Sequence, residues 1–127
     1  MQVLKTAWFA KFARKEKIGG EVLCEAVARA KKGLIDADLG GGLLKQCLAR
    51  SGAGKSGGYR TLIFFRAGAR AIFAYGFAKS EKANLENDEE AVFKKAAKLV
   101  LAFSDAQIAA EIERGRLMEV NCNGQNL

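Results

Sequence analysis

The sequence predicts an α+β fold: a small, mainly antiparallel sheet, built from a three-strand meander plus an N-terminal strand, with an N-terminal helical hairpin and C-terminal helices. Three observations lead there. Segments rich in aromatic and branched residues follow one another through the middle of the chain with short connections, which makes neighbouring strands antiparallel. On either side, apolar residues recur at helical spacing. The chain has 127 residues, half of them hydrophobic, the size of one domain that buries a single core without disulfides or metals. The expectation is therefore one domain over residues 1–127, with residues 121–127, rich in Asn, as a frayed tail.

Val3 to Thr6 reads as a short strand, after which Trp8, Phe9, Phe12 and Ile18 trace a helical face up to the Gly19-Gly20 break. From Glu21, Val22, Leu23, Ala26, Val27 and Ala30 mark a second helix, closed by Lys31 and Lys32 before Gly33. Gly40-Gly41-Gly42 is a loop. Leu43 to Arg50, Tyr59 to Arg66 and Arg70 to Lys79 are the meander, with Ala67-Gly68-Ala69 as one hairpin turn and helices expected over one face. Asp88 to Phe103 carries acids in its first turn, lysines later, and Val92, Phe93, Ala96, Leu99, Val100 and Phe103 as an apolar face. Ser104 caps one further helix that stops at Gly115, and Leu117 to Val120 forms a last strand.

Charge narrows the partner. The formal net charge is +7, which favours a polyanion such as nucleic acid, or an acidic protein, over an acidic small molecule. Between Leu39 and Ser80 lie Lys45, Arg50, Lys55, Arg60, Arg66, Arg70 and Lys79 without a single Asp or Glu. The chain has no histidine, so the usual Ser-His or Cys-His pair and the two-histidine route to RNA cleavage are excluded. Cys24, Cys47 and Cys122 are far apart and odd in number, which fits neither a disulfide framework nor a zinc site and reads as reduced bystanders. No metal and no cofactor is expected. No apolar run is long enough to span a bilayer, and Lys5, Lys11, Arg14 and Lys15 interrupt any signal-like core; a cytoplasmic protein with no membrane partner is expected.

The segment from Arg50 to Arg60 is the most informative. Gly54-Lys55-Ser56 ends like a nucleotide-binding phosphate loop, but the first glycine of G-x-x-x-x-G-K-[ST] would fall on Ala49, and a strand follows in place of a helix. Instead, Gly54-Lys55-Ser56-Gly57-Gly58-Tyr59-Arg60 resembles the G-K-x-G-G-x-R signature of RelE-like, HigB-type toxins of bacterial type II toxin–antitoxin pairs. Ala37 to Lys45 resembles the family's lead-in strand, Tyr75 to Glu81 its closing strand, and Asn84 through Leu99 its following helix. The resemblance implies a RelE-like fold in the RelE/ParE superfamily and a ribosome-dependent endoribonuclease that cuts mRNA during translation. It implies as partners the ribosome, mRNA and a cognate antitoxin, a small helix-turn-helix DNA-binding protein. The alternative within the superfamily is a ParE-like DNA gyrase poison; outside it, a non-catalytic nucleic-acid-binding module.

Cleavage of this class, attack of a ribose 2′-hydroxyl on the adjacent phosphate, needs a base, cations for the phosphorane and a proton donor. Lysine and arginine fill these roles. A lysine crowded by cations is disfavoured in its ammonium form, and an arginine offers a two-pronged donor to phosphate oxygens. The catalytic candidates are Arg60, as transition-state clamp, with Lys55, Lys79 and Lys45. The RNA-binding candidates are Arg50 and the aromatics Tyr59, Tyr75 and Phe77, whose rings stack on splayed bases unless they serve packing. Strand alternation puts Arg60, Leu62 and Phe64 on one side of their strand, and Phe73, Tyr75, Phe77 and Lys79 on one side of theirs. Arg66 and Arg70 flank a turn and read as solvated charges, Glu81 as a surface acid, and Gly57-Gly58 as turn geometry.

Overall fold

The computed structural model describes residues 1–50, 54–81 and 85–122, with backbone alone for Arg50 and residues 54–57. The tail beyond Cys122 lies outside the described residues, as does Asn84. Ten elements follow in order: β1 (Gln2–Thr6), α1 (Ala7–Lys15), α2 (Gly20–Lys31), β2 (Ala37–Gly40), β3 (Leu43–Arg50), β4 (Gly54–Arg66), β5 (Arg70–Ala78), α3 (Asn87–Leu101), α4 (Asp105–Glu113) and β6 (Leu117–Glu119). The strands make one sheet in the order β2-β3-β4-β5-β1-β6, and among the described pairings only β1 with β5 is parallel. The α+β class and the antiparallel meander are as the sequence predicts.

Local chemistry sets the helix ends. Thr6 accepts from the Phe9 amide to start α1, and Ser104 accepts from Gln107 while Gln107 returns to the Ser104 amide, a capping box that starts α4. A second capping box, between Glu86 and Glu89, opens α3, whose first turn holds Asp88, Glu89 and Glu90.

Helices cover both faces of the sheet, where one was expected. On the first face α1 and α2 bury Phe9, Leu23 and Val27 against Leu48, Ile63 and Phe73. On the second, α3 and α4 bury Ala97, Leu101 and Ile108 against Leu43, Leu62 and Phe64. The physical reason lies in the strands. β5 is almost continuously buried, and a strand apolar on both sides must be covered on both. Fully burying each Leu, Ile or Phe side chain contributes about 1.5–3 kcal/mol.

Two glycines allow close approaches. A Cβ on Gly58 would stand 2.3 Å from the Leu48 carbonyl oxygen, so β4 crosses β3 there without a side chain. A Cβ on Gly76 would stand 2.7 Å from the Phe12 ring, and its absence lets α1 lie against β5. Gly58 thus serves backbone approach within a strand, not a turn.

Three sequence expectations are corrected. Cys24 and Cys122 are joined, with Cα atoms 5.7 Å apart, tying α2 to the segment after β6; Cys47 alone is a free thiol. Their separation of 98 residues hid a proximity that only the fold creates. Arg70 is 9% exposed, not solvated. Its Nη1 donates to the Phe103 carbonyl (2.7 Å), its Nε to Gln2 Oε1 (3.3 Å), and its Nη2 pairs with Asp105. Finally, the side-by-side reading of β5 fails: Leu62 pairs with Tyr75 but Ile63 with Phe73, so Ala74 is an extra residue and Phe73 faces the side opposite to Tyr75.

Candidate functional site

The half of β4 that follows Gly58 sits between β3 and β5, and its register defines two cross-strand rows. Lys45, Leu62 and Tyr75 form one; Cys47, Arg60 and Phe77 form the next. Directly opposed residues in antiparallel strands share a face, so cations on β3 and β4 and aromatics on β5 lie in two adjacent lines on one face.

Arg60 and Lys45 converge on a residue that sequence reasoning missed. Arg60 Nη1 donates to Asp36 Oδ2 at 2.5 Å, and Lys45 Nζ lies 3.7 Å from the same oxygen. All three side chains are partly solvent-accessible. Asp36 is held there by backbone and by a buried amide. Its own N–H donates to the Lys45 carbonyl at 3.0 Å, and Gln46 Nε2, in the core, donates to the carbonyls of Leu34 and Ala26, each at 3.0 Å. The loop from α2 into β2 is thereby fixed against β3. Arg60 Nε is shielded from solvent and finds no acceptor among the described residues. Such an orphaned donor costs about 1–3 kcal/mol.

Lys79 follows the last residue of β5, where its amide donates to the Gly58 carbonyl at 3.0 Å. It lines a groove of about 680 Å³ over the outer edge of β3, together with Asp36, Arg29, Glu25, Cys47 and Ala49. Arg29 reaches across that groove to donate to the Cys47 carbonyl at 3.0 Å. Lys45 and Arg60 thus meet on the Asp36 carboxylate, and Lys79 lines the groove that Asp36 borders. Arg50 is placed by its backbone, opposite Gly54 in the β3–β4 ladder, and Lys55 follows Gly54; neither side chain is among those described. β4 starting at Gly54 also means that a strand follows the Gly-Lys-Ser triplet, as required for rejecting the phosphate loop.

The aromatics separate. Tyr59 is 2% exposed, with its hydroxyl donating to Glu16 Oε1 at 2.9 Å, and Phe77 is 5% exposed. As packed, neither ring offers a free face. Tyr75 is half-buried, its ring 4.6 Å from that of Trp8 and 5.1 Å from that of Phe93. Arg66 and Glu81 are exposed, as read from the sequence. The one signal that could have found Asp36 is its position: with Asp38 it is one of the two acids just before the acid-free stretch, nine residues ahead of Lys45.

A small basic α+β protein, with cations gathered at one end of a sheet covered on both faces, is the class this fold and site define. A model of the RelE toxin of the RelE/RelB toxin–antitoxin system matches residues 1–120, and the chain belongs to that family. It is a toxin of a toxin–antitoxin system, and an antitoxin is its partner. No curated protein and no solved structure matches the chain at a significant level. No helix among the described residues is long and apolar enough to cross a membrane.

Proposed function

We propose that this toxin, acting as one domain, is a ribosome-dependent endoribonuclease that cuts mRNA during translation. The observation that carries the reading is the Arg60–Asp36–Lys45 cluster, partly open to solvent and bordering the groove that Lys79 lines. In the reaction, the 2′-oxygen bonds to phosphorus as its proton leaves to a base, and the bond to the 5′-oxygen breaks as that oxygen gains a proton. Arg60 is the clamp. Asp36 holds Nη1, which orients the guanidinium, and the solvent-accessible part of the fork is left to donate to a phosphate oxygen. Lys45, Lys55 and Lys79 supply the remaining charge and proton transfers, and Arg50 a phosphate contact. The proposal invokes no metal or cofactor. The antitoxin is proposed to be a small helix-turn-helix protein that neutralises the cations between Leu39 and Ser80.

Inducing the toxin alone and mapping message ends by primer extension tests this. New ends within translated messages, absent from untranslated ones, are the expected result. Intact messages with loss of DNA supercoiling would place the protein with the gyrase poisons instead.

A further inference from the structure

Attack by a 2′-hydroxyl needs a group that takes its proton, and few groups around Arg60 can accept one. The chain has no histidine. Lys45 meets Asp36 as the cation of an ion pair, and an ammonium carries three donors and no acceptor. Two acids, Glu25 and Asp36, line the groove, and of these Asp36 is the one that holds Arg60.

The two oxygens of that carboxylate differ. Oδ2 takes both cations, with Arg60 Nη1 at 2.5 Å and Lys45 Nζ at 3.7 Å. Oδ1 accepts no hydrogen bond among the described residues, and the side chain is 28% accessible where it borders the groove. A carboxylate anchored through one oxygen keeps the other for accepting, and the backbone fixes where it stands, because the Asp36 amide donates to the Lys45 carbonyl at 3.0 Å. In RNA the reacting hydroxyl lies next to the scissile phosphate on one ribose. A phosphate on the accessible part of the Arg60 fork therefore brings that hydroxyl towards the carboxylate that the fork already touches.

Resting on the nuclease reading above, we infer that Asp36 is the general base, and that of the proton transfers the lysines keep the one to the leaving group. Oδ1 takes the proton of the 2′-hydroxyl as the 2′-oxygen bonds to phosphorus. The bond from phosphorus to the 5′-oxygen breaks, and that oxygen takes a proton from a lysine ammonium. The products are a 2′,3′-cyclic phosphate and a 5′-hydroxyl, and return of the carboxyl proton to the lysine, directly or through water, restores both groups. One ion pair thus aims the phosphate clamp and the base together.

Single-turnover cleavage of a defined message on ribosomes, followed against pH, tests this. Carboxyls ordinarily titrate near about 3.9 and lysines near about 10.4. A carboxylate base leaves the wild-type rate level between about pH 6 and 8.5, whereas a lysine base makes it climb about tenfold per unit. Asp36→Asn keeps an amide oxygen for Arg60. It should lose roughly a hundred- to ten-thousandfold in rate with ribosome binding retained, and its residual rate should climb with pH as hydroxide replaces the carboxylate. Asp36→Glu returns a carboxylate and should recover part of the rate with the level profile. Besides Arg60 and Lys45, the groups facing Asp36 across the groove are Glu25, Arg29, Cys47 and Lys79, so Glu25→Gln and Cys47→Ser are the controls and should cut like the wild type. The proposal is overturned by a wild-type rate that climbs with pH, by wild-type cleavage in Asp36→Asn, or by a slowed Asp36→Asn whose rate stays level, which marks a purely structural role. Should Asp36→Asn fail to fold, the wild-type profile and Asp36→Glu decide. The nuclease reading fails separately, when the wild-type protein leaves translated messages uncut.

Discussion

Replacing Arg60 by lysine separates geometry from charge. The formal charge is unchanged, and an ammonium reaches Asp36 as a guanidinium does, so the surface pair, worth about 0–1 kcal/mol at this exposure, survives in large part. The buried Nε, which finds no acceptor, disappears, returning some of its cost. Stability should therefore change by less than about 1 kcal/mol. Catalysis should not be spared. With Nη1 committed to Asp36, the donors left for phosphate belong to the rest of the fork, and lysine has no fork. Removing one donor aimed at developing charge costs about 2.7–4 kcal/mol, a hundred- to a thousandfold in rate. The assay is cleavage of a defined message on stalled ribosomes, with thermal melting and ribosome pelleting alongside, and Arg66→Lys as the control on an exposed residue. Wild-type cleavage by Arg60→Lys would refute the clamp and pass the role to Lys55 and Lys79.

Two predictions concern stability. Arg70→Ala should cost about 2–3 kcal/mol, since it strips the Phe103 carbonyl of its donor and removes a packed stem, whereas Arg66→Ala should stay within about 0.5 kcal/mol; urea titration compares them, and equal midpoints would return Arg70 to the solvated class. Cys122→Ser, or reduction, should lower stability by up to about 4–5 kcal/mol, because the Cys24–Cys122 link closes a loop of 98 residues. Unchanged denaturation with and without reductant would mean that the link contributes nothing.

What the sequence made legible was what depends on local pattern. Capping at Ser104, the stop at Gly115 and the strand after Leu43 follow from neighbours within a turn or two. What it hid depends on contacts made at a distance. One extra residue, Ala74, reversed the facing of Phe73, and no alternation rule anticipates a bulge. Asp36 escaped notice because the acid-free window begins at Leu39, while the fold returns the preceding loop across β3 through Gln46. Tyr59 looked like a base-stacking ring beside the glycine segment, and its partner Glu16, 43 residues away, explains its burial. Trp8 falls at the helical spacing read from the sequence, but that spacing did not show that its ring would rest on Tyr75 and stay half-exposed.

The parallel pairing of β1 with β5 also sets a schedule for synthesis. β3, β4 and β5 are neighbours in sequence, so the rows bearing Lys45 and Arg60 assemble from hairpins as soon as they emerge. Gln2, by contrast, waits 68 residues for Arg70, and the Val3 carbonyl waits for the amide of Val120. Contacts of such separation form slowly. α1 hangs from β1, so Trp8 takes its place beside Tyr75 only when β1 has paired with β5. The cationic half of the surface is an early product of the nascent chain, and the aromatic half is a late one.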